Sequence, residues 1–104
     1  MKIASGRVIK AIRLHLSYTQ KFVANHLNIT ITTLANIENG RVNLDIEKLY
    51  HLSLLYRMPA RDILELIIEI HQKGNEEGLV SAIRQLRSIT EYDLKFVEEP
   101  NPML

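Results

Sequence analysis

The side chains of this 104-residue chain that could do chemistry fall into two sets. The first is the usual catalytic repertoire, and it is scattered. His15, His26, His51 and His71 show no His-x3-His spacing, and there is no cysteine to complete a zinc site. The sequence has no Gly-x-Ser-x-Gly elbow, no phosphate-cradling glycine loop and no carboxylate pair beyond surface acids. It therefore reads as a chain without enzymatic activity, metal or cofactor. The second set is concentrated. Thr30, Ile31, Thr32, Thr33, Asn36, Asn39, Arg41 and Asn43 place hydroxyls, amides, methyl groups and one guanidinium in a single short stretch. Such groups make and break no covalent bonds; they donate and accept hydrogen bonds. Their chemistry is recognition.

The elements that must position this set are two short helices. Val23, Ala24 and Leu27 form the inward stripe of the first, and Leu34 and Ile37 that of the second. Thr19 is a cap for a helix from about Gln20 to Leu27. Phe22 stands where a glutamate would complete a capping box. Asn28 suits a left-handed turn residue. Asn28 to Thr33 alternates and is β-branched, as a strand would be, but strong helical patterning on both sides overrules that reading. Thr30 then caps a helix from Ile31 to about Asn39, which Gly40 ends. One helix buttresses and the other shows polar groups outward, which is the layout of a helix-turn-helix.

In Gln20, Ala24, the run Ile37-Glu38-Asn39-Gly40 and Arg41, the stretch resembles the phage repressor and Cro type of DNA-binding domain, an XRE-like family. Asn28 departs from the usual glycine, and Phe22 from the frequent glutamate. The resemblance implies an all-α, five-helix lambda-repressor-like domain with a C-terminal helical extension. It implies a transcriptional regulator that represses by binding a palindromic operator in double-stranded DNA as a homodimer. Carried over by position, it assigns base contacts to Ile31, Thr32, Thr33 and Asn36. Phosphate contacts fall to Gln20, Thr30, Asn39, Arg41 and Asn43, with Lys10 and Lys21 as looser candidates, and Arg13 pairs with Glu38. Neither Arg nor Lys occupies an outward position of the second helix. The bidentate guanine contact is thus missing from it, and A·T-rich half-sites are expected.

Around this pair, Val8, Ile9, Ile12 and Leu16 predict a first helix over 6–16 with Ser5 as cap. A fourth helix, Leu44–Tyr56, is predicted after an Asn43 cap, with Ile46, Leu49, Leu52 or Tyr50, and Leu55 inward or nearly so. A fifth, from Pro59 to Gln72, carries Ile63, Leu66, Ile67 and Ile70, plus a second stripe of Leu64 and Ile68. Two stripes exceed what one small bundle needs to bury, so another segment or a partner chain should cover the second. Residues 73–78 read as a hinge. Leu79, Ile83 and Leu86 return to helical spacing over 79–89. Thr90 resembles a cap opening a last helix with Tyr92 and Phe96, an alternating strand being the competing reading. Residues 1–73 then form the DNA-binding domain and 74–104 the extension. Leu64, Ile68, Leu79, Ile83 and Leu86 are the expected dimer interface.

The overall charge of +1 conceals an asymmetry. Residues 1–57 hold eight Lys/Arg against three Asp/Glu, and residues 58–104 hold five against nine. A basic front suits a polyanion. The acidic back leaves room for a protein partner, as in an antitoxin that wraps a basic toxin and autoregulates through the same domain. A guanidinium-free recognition helix also suits an interaction module that has lost DNA binding. No apolar run approaches a membrane span, and a cytoplasmic location is expected.

Overall fold

The computed structural model describes residues 1–87. Its five full helices are α1 (Lys2–His15), α2 (Gln20–Leu27), α3 (Ile31–Glu38), α4 (Ile46–Tyr56) and α5 (Ala60–Lys73). A sixth, α6, occupies 79–87, and no strand occurs among the described residues. The readings made for Thr90, Tyr92 and Phe96 lie outside those residues.

Local chemistry starts and stops the two central helices. Thr19 and Thr30 are both extended, and each hydroxyl accepts from the backbone N–H three residues on, Phe22 and Thr33, at 3.0 Å. Between the helices, Asn28 takes the left-handed conformation, φ 60° and ψ 43°. Its N–H reaches the Asn25 carbonyl, and Ile29 N–H reaches Ala24. The β-branched passage after it becomes a turn and a helix, with the Thr30 cap satisfying the Thr33 N–H, one of the otherwise free donors at the helix start.

Elsewhere the boundaries move. α1 starts four residues before the expected position, with Ser5 N–H already bonded to the Met1 carbonyl at 2.9 Å. Ser5 is thus inside the helix, and Gly6 is buried in its body. α4 starts two residues late. Its cap is Asp45, whose carboxylate accepts from Lys48 N–H at 2.8 Å, and not Asn43. Ile46 then falls in a protruding first turn and is 80% exposed, correcting its inward assignment.

One core joins all six helices. Val8, Ile9 and Ile12 of α1 meet Val23, Ala24, Leu34 and Ile37, then Leu52 and Tyr56, then the α5 stripe of Ile63, Leu66, Ile67 and Ile70. Leu79 and Ile83 of α6 belong to the same core, with Leu86 packed against it. The described part of residues 74–104 therefore shares its interior with the preceding helices. Tyr56 is fully buried, and its phenol donates to the Ile9 carbonyl at 3.3 Å. Burial, then the nearby Glu38 carboxylate, raises its pKa well above the ordinary phenol value. Arg87 closes α6 onto α4 by donating to the Tyr56 carbonyl.

Asp45 gives the fold one acid-sensitive end. Its bonds to the Lys48 side chain and backbone hold its pKa below the ordinary carboxylate value. A lowered folded-state pKa adds stability above the unfolded value, and this is lost as pH falls through it toward the folded value. Asp45→Ala is expected to cost about 1 kcal/mol at neutral pH, with a smaller penalty near pH 3. Asp45→Asn keeps the cap and loses the pH dependence. Urea midpoints at the two pH values check this, and an Asp45→Ala penalty unchanged at pH 3 would contradict it.

Candidate nucleic-acid interface

α3 is held from behind and open in front. Leu34 and Ile37 are buried, and Glu38 at its end is only 4% exposed. Arg13, itself 6% exposed, grips that carboxylate with two parallel bonds, Nε to Oε2 at 2.7 Å and Nη2 to Oε1 at 3.0 Å. The third guanidinium nitrogen donates to the Tyr18 carbonyl at 3.0 Å. Gln20 Nε2 adds a bond to Glu38 Oε1, also 3.0 Å. α1, α2 and α3 are therefore fastened at one carboxylate, whose hydrogen bond and charge raise the Arg13 pKa further. Among the described residues no buried polar side-chain atom lacks a partner, the condition under which a desolvated pair is tolerated.

Sequence reasoning missed the glycine that lets this happen. A Cβ on Gly6 would lie closer than 3.0 Å to the Ile37 and Glu38 carbonyl oxygens. α1 thus crosses the end of α3 at backbone contact. The available signal was a glycine inside an apolar-periodic run, which points to close approach as readily as to a helix edge.

The outward face of α3 carries Ile31, 45% exposed, with Thr32 exposed and Asn36 half-buried. Thr33 is turned back toward the cap, its hydroxyl 2.8 Å from that of Thr30. Thr30 therefore serves first as a cap. Asn39, Arg41 and Asn43 are exposed in the segment after α3, and Lys21 is exposed on α2. α2 and α3 have no acidic residue in the first turn, whereas α4 has Glu47 and α5 has Asp62. An acid-free helix start favours an anion at its free N–H groups. Lys10 lines a groove of about 740 Å³ together with Ile3, Arg7, Leu14 and Asn39.

The end of α3 has a defined geometry. Gly40, at φ +78°, donates to the Ile37 carbonyl at 3.1 Å, and Arg41 N–H donates to the Asn36 carbonyl at 2.9 Å. These are the two bonds of a Schellman motif, and they fold the chain back along the helix. Arg41 Nη1 then lies 3.5 Å from Asn36 Oδ1.

Of the five residues expected at a dimer interface, only Leu64 and Ile68 are exposed, at 44% and 39%. Leu79 and Ile83 are buried in the chain's own core and Leu86 packs against it, so that face is not free for a second copy. α6 covers part of the bundle but leaves the second stripe of α5 open.

The model of a family described as a helix-turn-helix domain matches residues 6–67, which take in α2, α3 and α4 and most of α1 and α5. A comparison with curated proteins finds no match. No described helix is long and apolar enough to cross a membrane.

Proposed function

Because the chain belongs to the XRE-like helix-turn-helix family, we propose that it is a DNA-binding regulator that represses from a palindromic operator as a homodimer. One observation carries the reading. The inner face of α3 is locked by Leu34, Ile37 and the Arg13–Glu38–Gln20 cluster, while Ile31, Thr32 and Asn36 stand outward. A helix whose orientation is over-determined and whose opposite face carries small polar groups and methyls is suited to the major groove. Thr33 supports this face from behind.

Phosphates are met on one flank by the N–H groups at the start of α2, with Gln20 and Lys21. Gln20 keeps its second amide N–H for this, since only one bond goes to Glu38. On the other flank stand Asn39 and Asn43. Leu64 and Ile68 provide the apolar surface for the second copy. Two half-sites about 34 Å apart then present two recognition helices to one face of the duplex.

Selection of bound fragments from random DNA tests the reading. Enrichment of a palindrome, with affinity falling steeply between about 50 and 200 mM salt, is the expected result. Asn36→Ala should cost about 1–3 kcal/mol on the selected site and little on random DNA. Binding without enrichment, or equal losses on both DNAs, would remove α3 as the reading element.

A further inference from the structure

Resting on the DNA-reading role proposed for α3, we infer that Arg41 reads a base, a guanine in each half-site, and is not a phosphate ligand. The Schellman motif bonds Arg41 N–H to the Asn36 carbonyl at 2.9 Å, and Val42 N–H reaches the same oxygen at 3.3 Å. Residue 41 is therefore held beside residue 36, though five positions separate them in the chain. The side chains agree with the backbone: the guanidinium of Arg41 meets the Asn36 amide oxygen at 3.5 Å. Arg41 is exposed and has no carboxylate partner among the described residues.

This juxtaposition changes what α3 can recognise. An asparagine reads adenine by accepting from N6 and donating to N7. Here one of the two lone pairs of the Asn36 amide oxygen faces Arg41, which leaves the other beside the two N–H donors. Arg41 contributes a planar fork of five donors, one of them turned to Asn36. At this end of the helix donors thus outnumber acceptors. The base edge that complements it carries two adjacent acceptors, the O6 and N7 of guanine. The guanidinium that the helix itself lacks arrives from the turn that follows it. A G·C pair, and not an A·T pair, is expected opposite this end of the reading surface.

The test is selection from random DNA by the full chain and by two variants, Arg41→Ala and Arg41→Lys, each checked for native helicity by circular dichroism. The unaltered chain should enrich a guanine at one position per half-site. Its preference there should be about 5- to 150-fold over other bases and should collapse in Arg41→Ala. Lysine keeps the charge but not the fork, so Arg41→Lys should keep the salt dependence while losing most of the preference. If Arg41→Ala weakens every sequence alike and the guanine remains, Arg41 is a phosphate ligand, and the inference falls while the proposed function stands. If Arg41→Lys retains the full preference, the fork is not the reader and the inference falls. If the unaltered chain enriches no sequence, both readings fall together.

Discussion

Gly6→Ala is expected to lower stability by about 2–3 kcal/mol, although glycine-to-alanine inside a helix ordinarily raises it by about 0.5–1 kcal/mol. The sign turns on what the new methyl meets. Gly6 lies in the body of α1, and its Cβ would be closer than 3.0 Å to two backbone carbonyl oxygens, those of Ile37 and Glu38. Flexible side chains rotate away from such contacts; carbonyls inside a helix cannot. The helices must separate, and this loosens the Arg13–Glu38 bonds and the seat of α3. For a domain of this size the loss corresponds to a fall in melting temperature of roughly 10–20 °C. Ser5→Ala, one position away on the same helix and without that contact, should move the midpoint little. An unchanged or raised midpoint for Gly6→Ala would mean that α1 and α3 do not approach at backbone contact. DNA affinity should fall in the surviving folded fraction as well, because α3 is displaced from its support.

Gly6 also shows where sequence reading stops. Thr19, Asn28, Thr30 and Gly40 could be placed from the sequence because caps and left-handed turns are decided by neighbours within a few residues, and each has the expected conformation. Whether a glycine is a helix edge or a crossing point depends on a chain segment some thirty residues away, which no local pattern records. Ile46 departs from its inward spacing for a related reason. Its spacing fits the inward stripe, but Asp45 begins the helix so that the first turn projects beyond the core. Leu79 and Ile83 have the spacing of a buried face, which says that something covers them without saying what; the cover is their own bundle. Arg41 is the sharpest instance. Counted along α3, the outward face has no guanidinium, yet the turn after Gly40 returns one to the side of Asn36. Periodicity within a helix cannot see a residue that rejoins it from outside.

Glu38→Ala tests the other half of the seat, and its expected cost is the larger, about 3–5 kcal/mol. The substitution removes few apolar contacts. Its damage lies in what remains: the Arg13 guanidinium, 6% exposed, keeps its charge at every pH at which the fold is stable and loses both bonds to the carboxylate. Gln20 loses its acceptor as well. Set against a total of about 5–15 kcal/mol for a domain, that loss is a large fraction. The pair need not be stabilising in itself for this to hold, since desolvating two charges offsets most of their attraction. The double replacement Arg13→Met with Glu38→Leu should therefore be far less damaging than Glu38→Ala, and could approach the parent in urea titrations. Its DNA binding should nonetheless be impaired. An apolar pair fills the space but lacks the directional bonds that tie α1, α2 and α3 at one point. A Glu38→Ala loss below about 0.5 kcal/mol, as at an ordinary surface site, would show that the pair is solvated. A double variant with full stability and full sequence preference would show that packing alone sets the angle of α3, leaving the Arg13–Glu38–Gln20 cluster without a role in reading.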